Sequence, residues 1–169
     1  MQRRIWVKRI TMTAMIAAAY ATLTLALAPI GYGAIQFRVS EALTVLPFIF
    51  PEAIIGLFIG CLTSNIIYSP FAVLDIIFGS LATLGAAFWT SRIKNRYLAP
   101  LPPIIINALV IGFVITYSEA GKTFVDFPLT AFYVNMATVG LGQTVVCYGL
   151  GLPLLMAMKE FLKNKHNKI

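Results

Sequence analysis

The sequence has little of what enzymes and soluble domains usually need. Charged residues make up 11% of its 169 positions, and the single histidine, His166, lies in the basic C-terminal tail. This excludes a histidine-based catalytic or metal site in the apolar part of the chain. Cys61 and Cys147 each stand inside an apolar run without metal-ligand spacing, so we interpret both as packing residues. Because a Walker sequence is also lacking, we predict no metal, no cofactor and no enzymatic activity.

What is abundant is apolar surface. Hydrophobic residues make up 59% of the sequence and the mean hydropathy is +0.85, well outside the range of soluble globular domains. A spanning helix needs roughly 20 apolar residues, so the chain has room for about five to seven spans and no separate soluble domain. The sequence therefore predicts one all-α integral membrane domain, residues 1–169, whose surroundings are the lipid bilayer.

The basic residues are concentrated in three clusters. Eleven of the thirteen belong to them: Arg3, Arg4, Lys8 and Arg9; Arg92, Lys94 and Arg96; and Lys159, Lys163, Lys165 and Lys168. Cytoplasmic loops retain Lys and Arg, so we place all three clusters, and both termini, in the cytoplasm. The net charge of +7 then indicates contact with anionic inner-leaflet lipid and not with nucleic acid. We expect a multi-pass protein of the bacterial cytoplasmic membrane.

The number of spans depends on the segment 42–67, which Pro47 and Pro51 interrupt. If it were a single span, the cluster at 92–96 would lie on the opposite side from the N-terminus. We therefore interpret it as two helices, the second beginning at Pro51-Glu52, where proline and a carboxylate suit a helix start. The prediction is a bundle of six transmembrane helices at roughly 10–30, 41–50, 52–68, 72–91, 102–118 and 132–158. As an α-helix, the second would cover only about 15 Å.

Small residues mark two helix faces. Ala14 and Ala18, together with Ala17 and Ala21, leave one side of the first helix almost without side chains, which lets another helix approach closely. Gly56 and Gly60 form a G-x-x-x-G pair, a common packing device. The sequence shows no internal repeat of the kind that builds many secondary transporters, which disfavours a self-sufficient pump.

Most acidic and amide side chains fall at the predicted outer ends of the helices. Asp75 is the strongest candidate for function, because an ionisable group within a span costs about 2.5 to 3.5 kcal/mol. The structural alternatives for Asp75 are an ion pair with Arg38 or a role as a helix cap. The candidate set also includes residues in the first outer loop and near the ends of later helices: Gln36, Arg38, Glu41, Asn65, Tyr117, Glu119 and Asn135.

Each of these residues has an ordinary structural alternative. Arg38 and Glu41, three apart, suit a local pair on a helix surface as well as a ligand lid. Asn65 and Asn135 are expected to satisfy a backbone carbonyl or a neighbouring helix if they do not touch a ligand. Asn107, deeper in its helix, is better explained by interhelical hydrogen bonding, and Glu119 by solvation at a helix end.

Three stretches together resemble the QueT family, substrate-binding components of energy-coupling factor transporters for queuosine precursors. They are Gln36 to Leu43 (QFRVSEAL), Gly56 to Asn65 (GLFIGCLTSN) and Asp75 to Thr83 (DIIFGSLAT). The resemblance implies a small membrane protein that captures a scarce micronutrient at its outer face. It also implies partners, namely a transmembrane coupling subunit and two ABC-type ATPases, with Ala14 and Ala18 matching the A-x-x-x-A docking pattern.

A deazaguanine such as aminomethyl-deazaguanine has a guanine-like edge, a carbonyl acceptor and a cationic amine. We expect Glu41 or Asp75 to accept from the edge, the other carboxylate or Glu119 to take the amine, and Phe37 or Tyr117 to stack on the ring. Asn65, Asn135, Gln36 and Arg38 would complete the hydrogen bonds. The alternatives are the same architecture with a different vitamin as ligand, and a structural membrane subunit whose outer polar groups pair only among themselves.

Overall fold

The computed structural model describes residues 2–31, 37–69, 73–121 and 127–166, and within these ranges every regular element is helical. The α-helices are α1 (Gln2–Ala26), α2 (Ala28–Gly31), α3 (Ala53–Tyr68), α4 (Ser80–Arg92), α5 (Leu101–Glu119), α6 (Leu129–Val146) and α7 (Leu152–His166). A 3₁₀ helix spans Val39–Phe48, and two π-helical turns, Asp75–Gly79 and Cys147–Gly151, precede α4 and α7. The predicted all-helical class is confirmed for these residues.

Three continuous helical stretches in the described ranges are long and apolar enough to cross a membrane. They are Gln2–Ala26, Leu101–Glu119 and Leu129–Lys165, the last running through a π turn. Val39–Phe48 and Ala53–Tyr68 are shorter apolar helices. The chain is therefore a helical membrane protein, with helix boundaries that differ from the predicted ones mainly in the first and last helices.

The segment 42–67 contains two helices of opposite direction, as its prolines indicated. Thr24 Oγ1 donates to Ser40 Oγ at 2.7 Å, whereas Leu46 lies beside Ile16, nearer the start of α1, so the 3₁₀ helix runs antiparallel to α1. The prediction that this helix is an α-helix was wrong, and so was the length that followed from it. A 3₁₀ helix rises about 2.0 Å per residue, so ten residues cover about 20 Å and not 15 Å.

Glycines on α3 allow it to lie against α1 in parallel orientation. A Cβ placed on Gly56 would lie 2.8 Å from the Thr13 carbonyl oxygen, and one on Gly60 would lie 2.7 Å from that of Ala17. Gly112 of α5 meets α6 in the same way, since its Cβ would lie 2.9 Å from Met136 Cα. In a bilayer, where apolar lipid competes with apolar side chains, such close backbone contact supplies the packing energy between helices.

The predicted last helix, 132–158, is longer and interrupted in its middle. The π turn Cys147–Gly151 brings Gly151 against the 3₁₀ helix, where a Cβ would lie 3.1 Å from the Ala42 carbonyl oxygen. Cys147 and Cys61 are both buried free thiols, which confirms the packing interpretation of the two cysteines.

The described residues of the three basic clusters lie at one end of the bundle. Lys8 and Met158 line the same groove, which brings the first and third clusters together. Lys159 Nζ lies 4.5 Å from the centre of the Phe48 ring, and Leu155 packs with Val45 and Ala99, the latter just after the second cluster. The polar groups considered next lie towards the opposite end.

Candidate functional site

The π turn Asp75–Gly79 lies at the centre of a group of buried polar side chains. It widens the start of the α4 helix by one residue, an irregularity that often occurs at functional positions. Asp75, which begins the turn, is fully buried. A carboxylate in this environment requires partners, since burying an uncompensated charge is costly.

Asp75 receives a cation and a hydroxyl at one carboxylate oxygen. Arg38 Nη2 lies 3.2 Å from Asp75 Oδ2, and Arg38 is itself only 4% exposed. Ser69 Oγ donates to the same Oδ2 at 2.8 Å. The ion pair named as a structural alternative for Asp75 is therefore present, and it joins the beginning of the 3₁₀ helix to the beginning of α4.

Asn65 holds the backbone of the π turn. Its Nδ2 donates to the Asp75 carbonyl oxygen at 2.9 Å, which confirms that it satisfies a backbone carbonyl. The same nitrogen lies 3.5 Å from Cys61 Sγ, and Thr83 Oγ1 donates to that sulfur at 3.3 Å. A chain of buried polar contacts thus fixes α3 against α4 beneath Asp75, and a site on rigid elements positions its ligand accurately.

Glu41 is fully buried and has partners from two other helices. Tyr20 of α1 donates its hydroxyl to Glu41 Oε1, and Asn107 Nδ2 of α5 donates to Glu41 Oε2 at 3.2 Å. The described hydrogen bonds do not join Arg38 to Glu41 as a local pair. Arg38 donates to Asp75, whereas Glu41 accepts from Tyr20 and Asn107. The interhelical role expected of Asn107 is confirmed.

A narrow cleft, without room for a water molecule, lies between the end of α1 and the segment at the start of the 3₁₀ helix. Phe37, Arg38 and Val39 line one side of it, and Gly31 lies on the other. Small-molecule sites usually occupy about 300 to 1,000 Å³, so in this conformation the cleft is closed to a bicyclic ligand. Phe37, predicted to stack on a ligand ring, lies at its wall.

The remaining candidates lie between α5 and α6. Asn135 Nδ2 donates to Thr116 Oγ1 and to Glu119 Oε2, each at 3.1 Å, which confirms its contact with a neighbouring helix. Tyr117 stacks on Phe113 with the ring centroids 5.9 Å apart. Glu119 is exposed, as expected for a helix end. Gln36 lies outside the described residues.

Sequence reasoning missed Tyr20, Ser69 and Ser40 as members of the polar network. Tyr20 gave a usable signal, because it is an aromatic hydroxyl on the same side of α1 as Ala17, with which it faces Gly60. Ser69 gave a weaker one, at four residues after Asn65 on the same helix face. The described residues contain no group of His, Cys, Asp or Glu that could hold a metal ion.

Ala14 and Ala18 are both exposed on the outer surface of α1. Ala14 lines a shallow apolar groove with Ile55 and Ile59 of α3. Ala17, one position before Ala18, contacts α3 through Gly60. The alanine-rich side of α1 is thus divided between internal packing and an open surface.

Comparison with known proteins places the chain. The family model described as QueT transporter matches residues 10–160. A protein of Lactococcus lactis subsp. cremoris (strain MG1363), named queuosine precursor transporter QueT, is 45% identical over 73 residues, and these cover 42% of each chain. No solved structure matches the chain. The family model matches about nine-tenths of the chain, so this helical bundle with its buried polar group belongs to the QueT transporter family.

Proposed function

We propose that the chain is the substrate-binding membrane component of an energy-coupling factor transporter for a queuosine precursor such as aminomethyl-deazaguanine. It spans the membrane six times with both termini in the cytoplasm, so the Asp75 end of the bundle faces outward. The L. lactis relative, named for this substrate class, supports the choice of ligand. The coupling subunit and two ABC-type ATPases supply the energy for inward transport.

The observation that carries the proposal is the buried polar group around Asp75. Arg38, Ser69 and Asn65 converge there from different segments at the end of the bundle opposite the basic clusters. A carboxylate accepts from a guanine-like edge or an amine, and an amide can serve a carbonyl, while the Arg38 guanidinium balances the charge of the carboxylate. Phe37 at the cleft wall and Tyr117 near the end of α5 are the aromatic residues that we propose to stack on the ring.

The other predicted residues have a secondary place in this proposal. Glu41 holds the 3₁₀ helix to α1 and α5, and it reaches a ligand only if Tyr20 or Asn107 gives way. Glu119 and Asn135 lie at the rim between α5 and α6, where they meet the ligand's outer edge. Gln36, two residues before Arg38, completes the proposed set.

The test is calorimetric titration of the detergent-solubilised protein with aminomethyl-deazaguanine, with riboflavin, biotin and thiamine as controls. We expect saturable binding of the deazaguanine alone, reduced about a hundredfold by Asp75→Asn. Binding of a control vitamin instead would keep the architecture and change the ligand.

A second candidate, a structural membrane subunit, has one observation in its favour. Its outer polar groups should pair among themselves, and the Arg38–Asp75 and Asn135–Glu119 contacts are of that kind. It predicts that folded protein binds none of the four compounds. It also predicts that cells expressing the chain with its coupling partners take up no deazaguanine.

A further inference from the structure

We propose that Arg38 is a resident cation, which the ammonium group of the substrate replaces at Asp75. The inference rests on the proposed function and assigns the amine to Asp75, not to Glu41 or Glu119. It also makes Arg38 a competitor of the ligand in the ligand-free protein, not one of its binding contacts.

The first support is the uneven use of the Asp75 carboxylate. Oδ2 accepts from both Arg38 and Ser69, whereas Oδ1, equally buried, has no hydrogen-bond partner in the part of the chain that the structure describes. A buried carboxylate oxygen without a donor is costly, and native structures rarely retain one without a reason. An ammonium group, with three donors, can serve both oxygens of one carboxylate.

Gly79 keeps this position open. A Cβ there would lie 3.2 Å from Asp75 Oδ1 and 3.2 Å from Asn65 Nδ2. A side chain at 79 would therefore press on both the unpartnered oxygen and the amide that holds the π turn. The glycine therefore keeps a side chain of the protein away from Oδ1.

The second support is volume. Arg38 lines the closed cleft and its side chain also reaches Asp75, so one movement of it enlarges the cleft and frees the carboxylate. A bicyclic ligand needs more space than the cleft provides, and Arg38 is the charged residue at its wall.

The third support is charge. Arg38 and Asp75 form a neutral buried pair, and exchanging the guanidinium for an ammonium keeps it neutral. A neutral ligand that displaces Arg38 leaves the buried Asp75 carboxylate without a compensating charge, which is strongly unfavourable. The site should therefore discriminate by the ligand's charge, even among deazaguanines of the same ring structure.

Glu41 is less suited to the amine. Both of its oxygens accept from donors of the protein, Tyr20 on one side and Asn107 on the other. An ammonium group would have to break an interhelical hydrogen bond to reach either oxygen. At Asp75 it replaces a partner of the same charge.

The experiment compares aminomethyl-deazaguanine with its nitrile analogue, in which a neutral cyano group replaces the aminomethyl group. In the unaltered protein the amine should bind at least tenfold more tightly than the nitrile. Arg38→Gln removes the competitor, so the amine should bind as tightly as before or up to about tenfold more tightly. Asp75→Asn should abolish the preference for the amine. Arg9→Ala, which removes the exposed cation of the Arg9–Glu52 pair at the opposite end, is the matched control and should change neither affinity.

Two results would overturn the inference while leaving the proposed function intact. One is tight binding of both deazaguanines with less than threefold preference. The other is a tenfold or greater loss of amine affinity in folded Arg38→Gln protein, which would make Arg38 a direct ligand contact.

A measurement without deazaguanine separates the inference from the proposed function. Millimolar methylguanidinium should raise the unfolding temperature of Arg38→Ala protein by occupying the vacated position at Asp75, but not that of the Arg38→Ala/Asp75→Asn double variant. If neither deazaguanine binds but this stabilisation occurs, the proposed ligand is wrong and the cation site stands. If the stabilisation is absent, the cation site is wrong. Should Arg38→Ala fail to fold, the amine-to-nitrile ratio of the unaltered protein decides alone.

Discussion

At the scale of single residues, the buried carboxylate of Glu41 depends on donors from two different helices. Tyr20→Phe removes the donor from α1 and leaves Glu41 Oε1 without it in the interior. We expect the free energy of unfolding to fall by about 1 to 3 kcal/mol, the cost of a buried polar atom that loses its partner. Denaturant or thermal unfolding in detergent micelles measures this change.

The matched control is Tyr133→Phe, since Tyr133 is 60% exposed on α6. Removing its hydroxyl should change stability by no more than about 0.5 kcal/mol. An equal loss in the two variants would mean that the Tyr20 hydroxyl contributes nothing specific to the Glu41 contact.

Residue types were predictable at this scale, and the Arg38–Asp75 pair was among the alternatives, but the sequence did not choose between the possible partners of Arg38. The sequence placed Arg38, Asn65 and Asp75 in one outer region, and the structure brings them into contact. From the sequence, Arg38 had two possible carboxylate partners, Glu41 at three residues and Asp75 at 37 residues. The short spacing favoured Glu41. Arg38 reaches the distant one because Glu41 points into the bundle towards Tyr20 and Asn107.

At the scale of elements, the contact between α1 and α3 depends on the lack of side chains at two glycines. Gly60→Ala would place a Cβ 2.7 Å from the Ala17 carbonyl oxygen and 2.8 Å from Tyr20 Cβ, so the helices must separate. We expect a loss of about 1 to 3 kcal/mol in the free energy of unfolding. The Tyr20–Glu41 hydrogen bond should weaken with it.

Gly85→Ala in α4 is the control for this change. Its Cβ would meet only Ile106 Cδ1 at 3.9 Å, an ordinary contact, so stability should stay the same or rise slightly through helix propensity. Similar losses in both variants would show that helix separation is not what Gly60 prevents.

The pattern of polar and apolar residues did not predict that the Val39–Phe48 segment is a 3₁₀ helix. Pro47 and the short length before Pro51 indicated a break, but not a ten-residue 3₁₀ helix. The π turns were equally hidden, since each depends on a tertiary partner. Asn65 holds the first through the Asp75 carbonyl, and the close approach of Gly151 to Ala42 accompanies the second.

At the scale of the whole molecule, the orientation proposed from the basic clusters is testable by cysteine labelling. Cys61 and Cys147 are buried, so a membrane-impermeant maleimide should leave them unlabelled in intact cells. A cysteine introduced by Lys94→Cys or Lys163→Cys should be labelled only after the cells are opened. One introduced by Gly121→Cys should be labelled from outside. Labelling of Lys94 and Lys163 positions from opposite sides would overturn the six-span topology.

The open face of α1 gives a prediction about assembly. Ala14→Leu with Ala18→Leu adds bulk to exposed positions, so folding and the proposed deazaguanine binding should persist while co-purification with the proposed coupling subunit falls about tenfold. Ala19→Leu, also exposed but on another side of the helix, is the matched control. Unchanged co-purification of the double variant would remove Ala14 and Ala18 from the docking surface.

The sequence by itself determined the membrane environment, the helical class and the clustering of polar groups away from the basic ends, because hydropathy and charge act over whole segments. Only the tertiary structure decided that Arg38 neutralises Asp75, that Glu41 joins α1 to α5, and that Asp75 begins a π turn. The physical reason is that a buried charge takes whichever partner the packing of helices brings within about 3 Å. That packing follows from close backbone contacts at residues such as Gly60 and Gly112, whose partners lie far away in the chain.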